Sequence, residues 1–316
     1  MNKLLSVLQI KYPILQGGMG NISNAVLTAA VSEAGGLGTI GAGTMTPAQV
    51  ESIIEQTKQK TDKPFSLNVA LGVSPYSVEL LKLAVKHELA AVTLSAGNPA
   101  PFLPMLKEAG FQVLTVVASV KQAKKAQEAG ADIIIAEGYE AAGINSSLET
   151  TTLTLIPQIM EAVSLPVVAA GGIGDGRGLA GMLALGASGV QMGTRFVATQ
   201  EAPFHDYYKE RVLAATDHDT VIVGRSVGKI RRLMTTPYSM QLLQAEKNGI
   251  SADKFNELTT EDHHCKGALE GNEQDGFLNG GQVSGLITDI PSVHELLERM
   301  MKEAREQLRR ASEDLL

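Results

Sequence analysis

At 316 residues and 44% hydrophobic, the chain can bury one large core, and it suits a single barrel of about 250 residues with an insertion or tail. A formal net charge of −7 offers no basic face to phosphate backbones or anionic lipids, so neither nucleic-acid nor membrane partners are expected. The lone Cys265 excludes an internal disulfide, no run approaches about 18 apolar residues, and MNKLLSVLQIKYP has too short an apolar stretch for a signal peptide, so a cytoplasmic location is expected.

Short β-rich runs alternate with amphipathic helical stretches, the pattern of parallel βαβ units. In chain order the predicted strands are Pro13–Gln16, Leu37–Ile40, Phe65–Val69, Ala91–Leu94, Val113–Val116, Ile133–Glu137, Val167–Ala170 and Gly189–Met192. The phrase Glu-Ala-Gly precedes a strand at Gly35, Gly110 and Gly130, and Leu185-Gly186-Ala187 fills the same slot later. A glycine there is the left-handed residue that ends a helix and turns the chain back. Ser23, Thr46, Ser74, Asn98-Pro99 and Ser119 are capping residues ahead of apolar-periodic stretches, and they mark helix starts. Eight such units predict an α/β chain closed into a (β/α)₈ TIM barrel over 1–200, rather than an open doubly wound sheet.

From about Glu201 to Ile290 the alternation breaks. This stretch holds the basic run Lys229-Ile230-Arg231-Arg232, the polar segment Asn256 to His264 and the glycine-rich Gly267 to Gly285. The expectation is a mostly helical excursion, 201–290, of helices and loops beside the barrel mouth. A final helix over 291–316 packs on the barrel and shows solvent a face of mixed charge.

The strongest chemical signal is Val167-Val168-Ala169-Ala170-Gly171-Gly172-Ile173, followed by Val190-Gln191-Met192-Gly193-Thr194-Arg195. Two successive strands end in Gly-Gly and Met-Gly-Thr, where barrels commonly cradle a phosphate. Without side chains, backbone N–H groups approach an anion closely, and a helix beginning near Thr194 adds favourable field. At the end of the first strand, Gln16-Gly17-Gly18-Met19 leaves room for a flat ring against the backbone. Asn68, ending the third, offers a donor and an acceptor to that ring's edge. An isomerase or aldolase using the same cradle needs a lysine or paired carboxylates at strand ends, and these ends carry Gln16, Asn68 and Glu137.

The sequences PILQGGM, SEAGGLGTIGAG, TDKPFSLNV, SAGNP, AEGYEAAG, PVVAAGGIGDGRG and VQMGTRFV run through nearly the whole chain. In them the protein resembles the flavin-dependent family of nitronate monooxygenases (2-nitropropane dioxygenases) and type II enoyl-acyl-carrier-protein reductases. Glu137, SAGNP and the tail Gly267-Ala268 through Gly280-Gly281-Gln282 look closer to the reductase branch. The resemblance implies FMN held by Gly18, Met19, Asn68, Glu137, Gly143, Gly171, Gly172, Gln191, Met192, Gly193 and Thr194. It also implies a small-molecule or acyl-thioester substrate, the latter on an acyl carrier protein, with NAD(P)H as co-substrate and a homodimeric assembly.

One departure stands out. The family's sixth strand is followed by Glu-Ala-Gly-Gly-His, and here the text is Glu140-Ala141-Ala142-Gly143-Ile144. An imidazole beside the flavin can exchange a proton at neutral pH; an alkyl chain cannot. A replacement proton group is therefore sought in Asn145 and Ser146 first, then Tyr139 and Glu140. The leading expectation is an FMN-dependent oxidoreductase that passes hydride from NAD(P)H to an electron-poor acceptor, like the enoyl reductases. The alternatives are a nitronate monooxygenase, or a flavin-binding barrel with little turnover.

No metal site is expected. His263-His264-Cys265 lacks the partner pair a tetrahedral site needs and reads as a polar loop, with His205 the one histidine near the mouth. Cys265 has no evident base. Lys229, Arg231 and Arg232 read either as a greeting for an incoming phosphate or as a solvated basic patch.

Overall fold

Eight strands form where the β-rich runs predict them, as seen in a computed structural model that describes residues 2–315. They are β1 (Ile14–Gln16), β2 (Gly38–Gly41), β3 (Phe65–Ala70), β4 (Ala91–Ser95), β5 (Gln112–Val117), β6 (Ile133–Glu137), β8 (Val167–Ala170) and β9 (Gly189–Met192). All pair in parallel in the order β1-β9-β8-β6-β5-β4-β3-β2. A Leu15–Leu37 bridge joins the two ends of that order, so the barrel closes and the expected TIM-barrel class holds. Gly35, Gly110, Gly130 and Gly186 all take the positive φ that their place before a strand called for.

Leu15, Leu37, Leu114, Ile133, Ile135 and Val168 fill the barrel together with Leu4, Leu8 and Ile10. The opening residues are thus a structural part: the helix Lys3–Leu8 plugs the amino-terminal end of the barrel, and Asn2 donates to the Ser188 carbonyl at 2.6 Å. Higher in the barrel the lining turns polar. Gln16 Oε1 accepts from the Thr39 amide at 3.2 Å, and the Thr39 and Ser66 hydroxyls are bonded at 2.8 Å.

Thr46 and Ser119 cap their helices as expected. Ser23 does not, because Asn24 takes that role one residue later. The Ser23 hydroxyl instead accepts from the Met19 and Gly41 amides at 3.3 and 2.9 Å, which pins the β1 loop across the barrel mouth. Ser74 and Asn98 cap turns upstream of their helices, accepting from the Tyr76 and Ala100 amides.

The excursion is not made of helices and loops alone. Its helices Asp206–Leu213, Pro237–Lys247, Ala252–Leu258 and Glu261–Glu270 surround a strand pair, β10 (Thr220–Val223) and β11 (Arg231–Met234). β11 in turn pairs with β7 (Gly143–Ile144), so Arg231 stands opposite Ile144 and Arg232 opposite Gly143. The β-branched Thr220-Val221-Ile222-Val223 favours this outcome, and a core of Val223, Leu233, Tyr238, Leu242, Phe255 and Phe277 lies beneath it. The final helix spans Val293–Glu313 behind a Ser292/Glu295 capping box and buries Val293, Leu296, Leu297, Met300 and Ala304 against the barrel. Among the described residues no helix is long and apolar enough to cross a membrane.

Candidate active site

A cavity of about 1240 Å³ opens over the carboxyl ends of the strands. Every predicted cofactor residue lines it: Gly18, Met19, Asn68, Glu137, Gly143, Gly171, Gly172, Gln191, Met192, Gly193 and Thr194. β8 and β9 are neighbours, with Ala170 opposite Gln191, so the two glycine turns meet side by side. Gly171 and Gly172 adopt φ of +92° and +78°, a region L side chains rarely enter. At Gly193 no steric requirement acts, since a Cβ there would meet no described atom within 4 Å; glycine simply leaves the open side of the turn bare. Successive bare amides line this edge, the kind of concavity that can hold an anion. The helix after it, Thr194–Val197, is a single turn, so local N–H groups rather than a long helix dipole supply the field. Thr194 Oγ1 accepts from the Gly281 amide at 3.0 Å, which ties the excursion to the cradle and leaves its hydroxyl hydrogen free to donate.

Across the mouth, Gly18 and Asn68 fit together closely. A Cβ on Gly18 would come within 2.5 Å of Asn68 Oδ1, so only glycine lets the amide stand there. Asn68 Nδ2 donates to Ser95 Oγ at 3.1 Å, which fixes the orientation of its carboxamide. Gly17 donates to the Met192 carbonyl at 2.8 Å, stitching the β1 loop to β9. Met192 contributes backbone to the cavity, for its side chain belongs to the core. Glu137 is half-buried beneath the mouth, and burial pushes its carboxyl up to about 7.

The predicted replacements for the missing histidine fare differently. Asn145 and Ser146 line the cavity: Asn145 Nδ2 donates to the Ala141 carbonyl at 2.8 Å, while Ser146 Oγ accepts from the Leu148 amide at 3.2 Å and keeps its hydroxyl hydrogen free. Glu140 faces away and accepts from Thr152 N at 2.9 Å. Tyr139 also faces away, its hydroxyl held by Arg225 at 2.6 Å and its carbonyl by Arg232 at 2.9 Å. Ile144 lies at the rim, 43% exposed.

The excursion supplies what sequence reading missed. His263-His264-Cys265 is helix, not loop, because Thr260 begins a regular Glu261–Glu270 helix that ends at Gly271 with φ +69°. His264 is buried, lines the cavity, and stacks on Phe277 with ring centroids 5.4 Å apart. Glu261, three residues earlier and so on the same face, stands 3.9 Å from His264 Nδ1 and accepts from the Asn21 amide at 3.0 Å. Burial raises the Glu261 carboxyl, but His264, the Asn21 amide and Arg231 outweigh it and hold it below the usual carboxylate range. Arg231 also lines the cavity, over the Phe277 ring at 5.7 Å. Arg232 is buried on Tyr139, so of the basic run only Lys229 is a solvated cation.

His205 caps the Asp206–Leu213 helix by accepting from the Tyr207 amide, and it is not among the cavity-lining residues. Burial pushes the Cys265 thiol up to about 11, which leaves it protonated and unreactive at neutral pH.

The family described as nitronate monooxygenase matches residues 2–74 and 70–303 of the chain. A (3aS,4S,5R,7aS)-5-hydroxy-7a-methyl-1-oxo-octahydro-1H-indene-4-carboxyl-CoA dehydrogenase of Rhodococcus jostii is 32% identical, covering 95% of each chain. A probable nitronate monooxygenase of Staphylococcus haemolyticus is 31% identical, covering 96% of this chain and 97% of its own. Among solved structures, FabK from Thermotoga maritima superposes with a TM-score of 0.93 at 40% identity over 98% of both chains. A nitroalkane oxidase from Streptomyces ansochromogenes gives 0.84 at 26% identity over 98% of this chain and 99% of its own.

Proposed function

The chain belongs to the nitronate monooxygenase family, and from that premise we propose that this flavin oxidoreductase uses FMN to pass hydride from NAD(P)H to an electron-poor acceptor such as an enoyl thioester. The observation that carries the reading is the convergence, on one cavity, of the Gly171-Gly172 and Gly193 turns with the Gly18–Asn68 pair across the mouth. These residues fit FMN: the bare amides suit its monophosphate, and the floor beside Gly18 and Met19 suits a flat ring whose edge Asn68 meets. Glu137, whose carboxylate takes no hydrogen bond among the described residues, is available to hydroxyl donors between the two. When bound, FMN supplies the hydride and electron chemistry. The protein's share is to grip the phosphate, orient the ring and exclude water.

The volume supports a second molecule beside the flavin, since about 1240 Å³ exceeds the ~300–1,000 Å³ usual for one ligand. Ile144, Ala141, Ala142 and Val283 make part of the remaining wall apolar, as an acyl chain requires. The likeness to FabK supports enoyl reduction, while the Staphylococcus haemolyticus relative supports nitronate oxidation. Anaerobic mixing separates them. NAD(P)H bleaches the FMN-loaded protein if it is a reductase, whereas a nitronate bleaches it and NAD(P)H does not if it is a monooxygenase. Gly18→Ala forces Asn68 aside at a cost of about 1–3 kcal/mol, so FMN binds roughly 10- to 100-fold more weakly by fluorescence titration. A colourless protein that refuses added FMN defeats the reading.

A further inference from the structure

Reduction of an electron-poor alkene adds one hydride and one proton across the double bond. The hydride belongs to the flavin chemistry, and the proton needs a donor; with Ile144 at the rim, His264 on the excursion is the one imidazole among the cavity-lining residues, which on the barrel side include the Glu137 carboxyl and the Ser146 hydroxyl. We propose that His264, held by Glu261, Asn279, Phe277 and Tyr208 on the excursion, is the proton donor and acceptor of this cavity. The proposal rests on the flavin-dependent reading above and deepens it.

The geometry places the imidazole one side chain away from the missing group's position. Asn279 Nδ2 lies 3.3 Å from the His264 ring nitrogens. The same side chain stands 3.5 to 3.7 Å from where a Cβ of Gly143 would be, and Gly143 immediately precedes Ile144. One amide thus spans from the imidazole to the turn that carries a histidine in the resembling family. Asn279 Oδ1 is buried and has no hydrogen-bond partner among the described residues, so the cluster holds a polar atom that a bound molecule can satisfy.

The ring is fixed on several sides. Phe277 stacks on it with a 3° interplanar angle, and Tyr208 meets it edge-on at 6.5 Å. The Tyr208 hydroxyl donates to the Asn279 carbonyl, and burial holds its phenol far above its ordinary range, so it stays a neutral support. The charged side chains of the cluster are Glu261 from the same helix and Arg231 from β11, whose guanidinium lies over the Phe277 ring. Glu261 is 3.9 Å from Nδ1 and anchored to the β1 loop at Asn21, and a methyl on Gly20 would overlap its carboxylate. A carboxylate beside a ring nitrogen orients the imidazole. In the step itself the imidazolium N–H gives its proton to the acceptor carbon next to the one that receives hydride. The N–H bond breaks, a C–H bond forms, and neutral imidazole regains a proton from water.

The test has two arms. In the flavin-free chain carrying ¹³C-labelled histidine, the ring NMR signal lost in His264→Gln is displaced in both Glu261→Gln and Asn279→Ala. A ring signal that ignores both Glu261→Gln and Asn279→Ala overturns the assignment. In the FMN-loaded chain, His264→Gln leaves bleaching by NAD(P)H within about twofold but slows the return of colour with crotonyl-coenzyme A by on the order of 100-fold. Slowing of both steps alike, or of neither, also overturns it. Thermal melting and FMN titration of the variant show whether the fold and the cradle persist. If the parent binds no flavin the proposed function fails, and the first arm still decides whether Glu261 and Asn279 hold the His264 ring.

Discussion

Glu137 shows how one side chain couples the site to stability. Burial without a hydrogen-bond partner pushes its carboxyl up to about 7 from an ordinary 4.5. The folded chain therefore keeps a proton that the unfolded chain has released between about pH 4.5 and 7, and stability falls as pH rises through that window. Glu137→Gln removes the dependence. In the flavin-free protein the variant gains on the parent by on the order of 2 kcal/mol between about pH 5 and 8, measured by urea unfolding at each pH. A parent whose stability is flat across that range contradicts the cause given. The glycines at this scale were readable beforehand, because Gly18 and Gly171-Gly172 are demanded by local backbone and close approach. His264 was not readable, although Glu261, His264 and Ala268 at helical spacing were the signal that the segment has a buried face.

Among the elements, the small sheet β10-β11-β7 does the most to shape the cavity. It borrows Gly143 and Ile144 from the loop after β6 and holds them through Arg231 and Arg232. Arg232 does not line the cavity, yet its guanidinium donates twice to the Tyr139 carbonyl and once to Thr220 Oγ1 at 3.1 Å. Arg232→Met leaves that carbonyl without its charged donors while relieving the burial of the charge, so the net loss in stability is small, about 1 kcal/mol. The larger effect is local. Amide hydrogen exchange rises over residues 139–145 and not in the barrel strands, and unchanged protection there contradicts the role. The strand pair was hard to foresee because its partner β7 is two residues long and lies more than 80 positions away from β11. Pairing of that kind leaves no local periodicity.

For the molecule as a whole, closure depends on parts that look incidental in the sequence. The Lys3–Leu8 helix seats Leu4, fully buried, over Gly189 at the base of the barrel. Leu4→Ala opens a cavity in the plug and costs about 3 kcal/mol, read as a lower urea midpoint with an unchanged slope. A midpoint equal to the parent's means that the plug carries no load. Hydrophobic periodicity and glycine-marked turns were enough to specify the eight units, the closed barrel and the side-by-side glycine turns, because each is written within a few residues and obeys backbone sterics. Which groups roof the cavity was decided only when distant segments packed. The Glu261–Asn21 hydrogen bond joins positions 240 residues apart, and a contact of that span depends on the shape of the completed barrel rather than on any local pattern.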